Sequence, residues 1–157
     1  MEIKFLVDED FVNYKKPSMF IGFPYCTFKC NKDCGKVVCQ NYKLLEEKNY
    51  VISEDDIVRR YLNNPITEAI VFGGLEPFDS FEDMLELVYC IREKTSCDIV
   101  IYTGYNKDEI INKVKMLSGF KNIIIKFGRY IPDDTPHYDS LLGITLSSSN
   151  QYAEEIL

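Results

Sequence analysis

Four of the six cysteines lie within fourteen residues, in the stretch CTFKCNKDCGKVVC at positions 26–39. Cysteine thiolates hold zinc ions and iron-sulfur clusters in proteins. Structural zinc sites usually bring their cysteines as two close pairs, whereas the gaps here are three, three and four residues. The candidate metal ligands are Cys26, Cys30, Cys34 and Cys39, either as a closed four-thiolate zinc site or as the ligands of an iron-sulfur cluster.

The composition favours metal binding or redox work over disulfide bonding for these thiols. The chain has 157 residues and a formal charge of -7, and its first residues, MEIKFLVDEDF, contain no long apolar run. We therefore expect a soluble, cytoplasmic protein with one domain over residues 1–157. Thiols stay reduced in the cytoplasm, and clustered cysteines there more often bind metals or do redox work. Basic residues cluster only in pairs, which disfavours nucleic-acid binding, and no segment is apolar enough for membrane insertion.

Short apolar runs alternate along the chain with segments of helical period. The patterns predict helices from Ser53 to Pro65, over residues 80–94, and from Asn106 to Gly119. They predict strands over residues 19–23, 68–74, 98–104, 122–128 and 143–147, with the leading MEIKFLV as a further edge strand.

Apolar strands separated by amphipathic helices indicate an α/β fold with a parallel sheet covered by helices. A complete eight-unit barrel needs about 250 residues. About five parallel strands are therefore expected to form a partial, open β/α barrel or a short doubly wound sheet.

Ligands bind to parallel α/β folds at the carboxyl ends of the strands. Five unusual segments follow the five predicted strands, so we expect them to share one rim, although each taken singly is also typical of a turn or an exposed corner. They are the cysteine segment, GGLEP at 73–77, TGY at 103–105, GRY at 128–130 and SSSNQ at 147–151.

The order of these motifs resembles the radical S-adenosylmethionine superfamily. Its usual signature is CxxxCxxC followed later by a GGEP-like motif, and here Cys26 and Cys30 are followed by GGLEP. The YTGY, GRY and SSNQ segments, ending at Tyr105, Tyr130 and Gln151, sharpen the resemblance to the activating proteins of anaerobic ribonucleotide reductases. The resemblance covers roughly residues 19–152.

This resemblance implies a defined chemistry. Three cysteines hold a [4Fe-4S] cluster, and the amino and carboxylate groups of S-adenosylmethionine chelate the iron that has no protein ligand. Reduction, by a donor such as a flavodoxin or ferredoxin, cleaves the sulfonium. The 5'-deoxyadenosyl radical then takes a hydrogen atom from a backbone glycine of a large glycyl-radical enzyme. The protein supplies binding, orientation and exclusion of side reactions.

The identity of the third cluster ligand is open between Cys34 and Cys39. Spacing favours Cys34, because CxxxCxxxC is one residue longer than the usual form. The flanks favour Cys39, because the family places an apolar residue just before the third cysteine and an asparagine two places after it, as Val38 and Asn41 stand here. We favour Cys39, with residues 31–38 as an insertion and Cys34 as a spare thiol or a ligand of the resting state.

The resemblance also implies the S-adenosylmethionine-binding residues. In the family the GGEP segment contacts the methionine amino group, but here Leu75 precedes the glutamate, which separates Glu76 from its usual position. The candidate cofactor-binding residues are Gly73, Gly74, Glu76, Asn41, Thr103 and Tyr105. A second hypothesis, supported by the fourth cysteine and the irregular spacing, is a noncatalytic zinc or iron-sulfur module with a regulatory role.

Overall fold

The computed structural model describes all residues, 1–157, and contains ten strands and four α-helices. The α-helices are α1 Lys29–Cys34, α2 Glu54–Leu62, α3 Phe81–Lys94 and α4 Ile111–Leu117. The strands are β1 Glu2–Ile3, β2 Phe5–Asp10, β3 Ser18–Phe23, β4 Tyr50–Val51, β5 Ala69–Gly74, β6 Asp98–Tyr102, β7 Ile123–Phe127, β8 His137–Asp139, β9 Ile144–Leu146 and β10 Tyr152–Ile156. No helix is both long enough and apolar enough to cross a membrane.

Six strands form an open central sheet in the order β10-β7-β6-β5-β3-β2. The four inner strands, β3, β5, β6 and β7, are parallel to one another, and both edge strands are antiparallel to their neighbours. The prediction of an α/β fold with a mostly parallel sheet is confirmed. So are four of the five predicted strands and the edge strand expected near the N-terminus.

The fifth predicted strand is wrong in its placement. Residues 144–146 pair antiparallel with β8 in a separate two-stranded sheet, so the central sheet has four parallel strands rather than five. Only Leu146 of this short strand is buried, whereas β5 and β7 are buried along their whole length. The edge beside β7 is instead taken by β10, whose Glu154 and Glu155 suit an exposed edge.

The helix predictions are confirmed, with one addition. Ser53 caps α2 by accepting a hydrogen bond from the Asp56 N–H at 3.1 Å. The Glu109 carboxylate accepts one from the Asn106 N–H at 2.8 Å, and the segment starts as a 3₁₀ turn before it becomes α4. The sequence patterns missed α1, a six-residue helix inside the cysteine segment that carries no buried residue.

The two faces of the central sheet are covered differently. Helices α2, α3 and α4 pack on one face and form the larger core with side chains such as Ile21, Phe72 and Ile101. The other face carries a smaller core, in which Tyr14, Leu142 and Leu146 cover the middle strands. The cavity described next lies on this second face, at the carboxyl ends of the strands, where Cys30 of α1 contributes to its lining.

Candidate functional site

A cavity of about 800 Å³ opens at the carboxyl ends of the parallel strands. We call it the rim cavity. Its floor includes Phe20, Gly73, Tyr102 and Lys126, from the four parallel strands. Its walls come from all five segments that the sequence placed at the rim: the cysteine segment, residues 74–76, residues 103–104, Gly128 with Tyr130, and Ser147 with Gln151. The last segment reaches the cavity although its preceding strand is outside the central sheet.

Three of the four clustered cysteines line the rim cavity: Cys26, Cys30 and Cys39. Cys34 is the last residue of α1 and is not among the lining residues. The other two cysteines, Cys90 and Cys97, pack partly buried against the larger core, as expected for small apolar side chains.

Two of the lining thiols, Cys26 and Cys30, have a pKa raised by burial, which favours their neutral form. Burial raises the pKa of Cys26 to about 12, partly offset by the hydrogen bond that the Phe28 N–H donates to its Sγ at 3.2 Å. Burial likewise raises the pKa of Cys30, and a charge on Cys39 acts in the same direction on both thiols. Metal binding at these thiols therefore requires that iron displaces their protons.

The arrangement of the thiols fits a cluster. No three His, Cys, Asp or Glu side chains meet at one point where a single metal ion could be held. An iron-sulfur cluster binds each thiolate to a different iron, so its ligands surround a volume instead of meeting at a point. Three thiols on the wall of one cavity, in a volume typical of small-molecule sites, match that requirement.

Helix α1, which carries Cys30, is attached to the rim by ion pairs. Lys29 pairs with Glu109 at 3.3 Å, and the Arg129 Nε lies 2.8 Å from the Asp33 carboxylate. Arg129 also hydrogen-bonds Glu109, which lowers the pKa of that carboxyl to about 2. The cysteine helix is thus fixed against the loops that follow β6 and β7.

The extra residue in GGLEP is accommodated by backbone hydrogen bonds. The Leu75 N–H donates to the Phe23 carbonyl at 3.1 Å, and the Glu76 N–H donates to the Tyr25 carbonyl at 2.8 Å. Asn41 donates from its side-chain amide to the Gly74 carbonyl at 2.8 Å. The cysteine segment and the glycine loop are therefore connected directly at the cavity.

Glu76 joins two loops from inside the protein. Its side chain is buried and accepts hydrogen bonds from the Thr103 hydroxyl at 2.8 Å, the Gly104 N–H at 2.9 Å and the Phe78 N–H at 3.1 Å. Burial raises its pKa to about 7, against the opposing effect of these donors. The residue lines the rim cavity, but three of its acceptor positions are occupied by the chain's own donors.

A Glu76→Gln substitution should change how stability depends on pH in the cluster-free protein. Because the folded-state pKa lies above the unfolded value of 4.5, the wild type should lose stability as pH rises from about 4.5 to about 7, by roughly 3 kcal/mol at most. The glutamine variant should lack this decline. Urea unfolding between about pH 5 and 8 measures this decline in the free energy of unfolding.

Glu109→Gln is the control, because the lowered pKa of Glu109 places its titration below that range. Parallel pH profiles of the free energy of unfolding in the wild type and Glu76→Gln would contradict the prediction.

Thr103 and Tyr105 have different positions. Thr103 lines the rim cavity and accepts a hydrogen bond from the Tyr105 N–H at 3.0 Å. The Tyr105 side chain does not line the cavity: its hydroxyl donates to Asp79 at 2.7 Å, and the Lys29 ammonium lies 4.8 Å from the centre of its ring. The Tyr105 side chain thus contacts residues outside the cavity, Asp79 and Lys29, and not the cavity itself.

The sequence patterns missed one charged residue of the site. Lys126 lies within the apolar run NIIIKFG and is buried at the cavity floor, where its ammonium donates to the Gly128 carbonyl at 2.9 Å. Burial lowers its pKa to about 8. The sequence signal that could have identified Lys126 is its place within an apolar run, because buried strand positions normally exclude charged side chains.

The comparisons with known proteins identify one family. Residues 5–152 match the family described as a 4Fe-4S single cluster domain, which is associated with radical S-adenosylmethionine proteins. No curated protein and no solved structure matches the chain.

Proposed function

Because the chain belongs to the 4Fe-4S single cluster domain family, we propose that it uses the cluster to cleave S-adenosylmethionine reductively and to install a glycyl radical on a partner enzyme. The match covers nearly the whole chain, and a 4Fe-4S cluster-binding domain is present. The partner proposed is an anaerobic ribonucleotide reductase, from the ordered motifs that end at Tyr105, Tyr130 and Gln151.

One observation carries this proposal: three of the four clustered cysteines line the rim cavity, and Cys34 does not. A cluster held by three thiolates keeps one iron open for a substrate, as a catalytic zinc site keeps one position open. When bound, the cluster supplies the electron that cleaves the sulfonium. The open sheet with its cavity at the strand ends also supports a partial barrel of the radical S-adenosylmethionine type.

The chain's own residues are suited to binding the cofactor beside the cluster. Gly73 has no side chain at the cavity floor, and Asn41 holds the neighbouring Gly74 carbonyl next to the cysteine segment. Phe20 and Tyr102 supply apolar surface at the cavity floor that excludes water. We propose that the backbone of the glycine loop and the free acceptor position of Glu76 orient the methionine end, and that Thr103, whose hydroxyl donates to Glu76, contacts the ligand beside it.

Anaerobic reconstitution tests the proposed function. Protein supplied with iron and sulfide should become brown and contain about four irons per chain. Addition of S-adenosylmethionine with a strong reductant, either dithionite or a reduced flavodoxin, should release 5'-deoxyadenosine, detected by liquid chromatography. A colourless protein with one tightly bound zinc, or a clustered protein that releases no 5'-deoxyadenosine, would instead support a noncatalytic module.

A further inference from the structure

A side chain next to the second cysteine holds the backbone of the fourth. The Asn31 side-chain oxygen accepts hydrogen bonds from the Val38 N–H at 2.8 Å and from the Cys39 N–H at 3.0 Å. Asn31 follows Cys30 directly in the chain. Two thiols that are nine positions apart in sequence are therefore connected through one side chain.

The segment before Cys39 has little other support. Helix α1 ends at Cys34 and is followed by Gly35, whose φ is +67°; residues 36–39 then form neither helix nor strand. Lys36 and Val37 are exposed to solvent. In the whole chain, the Asn31 oxygen is the only acceptor found for the Val38 and Cys39 N–H groups. On the side of Cys39 that faces α1, the Asn31 contact is therefore the one that fixes the backbone of the returning chain.

Helix α1 provides a fixed base for this contact. The ion pairs of Lys29 with Glu109 and of Asp33 with Arg129 lie on both sides of Asn31 in the helix. Beyond Cys39, Asn41 binds the Gly74 carbonyl. Cys39 therefore lies between two asparagine contacts, one to the cysteine helix and one to the glycine loop.

We propose that Asn31 is a positioning residue of the cluster site, which closes the loop over residues 32–38 and sets the backbone of Cys39 as the third thiolate ligand. A side chain that hydrogen-bonds a metal ligand restricts the orientation of that ligand and so raises the occupancy of the metal site. The inference rests on the proposed function only in assigning Cys39 to the cluster. It concerns assembly of the site and not cleavage of S-adenosylmethionine.

The first test uses cluster-free protein. In Asn31→Ala, Cys39 should react about tenfold faster with iodoacetamide than in the wild type, because the free energy of a lost hydrogen bond corresponds to a rate change of about this size. Mass spectrometry of the peptide that contains Cys39 follows the reaction. Asn31→Asp keeps an acceptor oxygen and should restore the slow rate. Val37→Ala, an exposed change in the same loop, is the control. Equal Cys39 rates in the wild type and Asn31→Ala would overturn the proposal.

The second test uses reconstituted protein and keeps the inference separate from the proposed function. Asn31→Ala should retain less iron and sulfide than the wild type at an unchanged thermal midpoint, and Asn31→Asp should recover most of the loss. In a Cys34→Ser background, which should keep the cluster, Asn31→Ala should cause the same loss as in the wild-type background, because Asn31 acts on Cys39 and not on Cys34. Absence of the loss in that background would overturn the inference. A wild type that holds the cluster without releasing 5'-deoxyadenosine contradicts the proposed function alone.

Discussion

Replacing Cys39 with serine is expected to abolish the [4Fe-4S] cluster, whereas replacing Cys34 with serine should leave cluster content close to that of the wild type. Cys39 lines the rim cavity with Cys26 and Cys30, and Cys34 does not. Loss of one of three thiolates leaves two irons without a protein ligand, and a cluster held by only two thiolates is readily lost. Iron and sulfide content and visible absorbance after anaerobic reconstitution measure the effect.

The pair of variants is a matched comparison. Both cysteines are half-buried, both lie in the segment of residues 29–41, and serine is close to cysteine in size. Cys26→Ser gives the reference for a complete loss. If Cys34→Ser lost the cluster while Cys39→Ser retained it, the third ligand would be Cys34 and the insertion would have to be placed elsewhere.

The central sheet could be predicted because its strands carry the signal of buried parallel strands. Runs such as AIVFGG at β5 and IIIKF at β7 are buried at every position, and local apolar content is sufficient to recognise them. The edge at β10 could not be predicted in this way. YAEEI has polar residues on both sides of a short strand, and only its pairing with β7 makes it part of the sheet.

The candidate site was predictable in its location but not in its internal contacts. Parallel topology alone brings the loops after β3, β5, β6 and β7 to one rim, so the sequence order of the motifs was informative. The roles of Asn31 and Lys126 depend on how the chain folds around them: one binds backbone seven and eight residues later, and the other is buried by neighbouring strands. No local pattern encodes the contacts of Asn31, whereas the place of Lys126 within an apolar run marked that residue as unusual without showing what it contacts.

The chain's own packing requires glycine at position 74. The φ of Gly74 is +82°, and a Cβ at this position would lie 2.7 Å from the Cα of Gly22 and 2.9 Å from the Phe23 nitrogen. Both neighbours are backbone atoms of β3, which cannot move without disturbing the pairing of β3 with β5. The motif therefore joins two strands at the cavity, whatever the backbone contributes to cofactor binding.

A Gly74→Ala substitution should accordingly destabilise the cluster-free protein by about 2 to 5 kcal/mol, from left-handed strain together with overpacking. Two other glycines separate these causes. Gly35 has a φ of +67° with nothing within 4 Å, so Gly35→Ala should cost only about 1 kcal/mol of strain. Gly119 has no positive φ and its nearest neighbour is 3.9 Å away, so Gly119→Ala should be neutral. Urea unfolding measures the free energy of unfolding of all three variants. Equal losses of this free energy in Gly74→Ala and Gly35→Ala would show that β3 shifts to admit the Cβ, and that contact between β3 and β5 does not require glycine at this position.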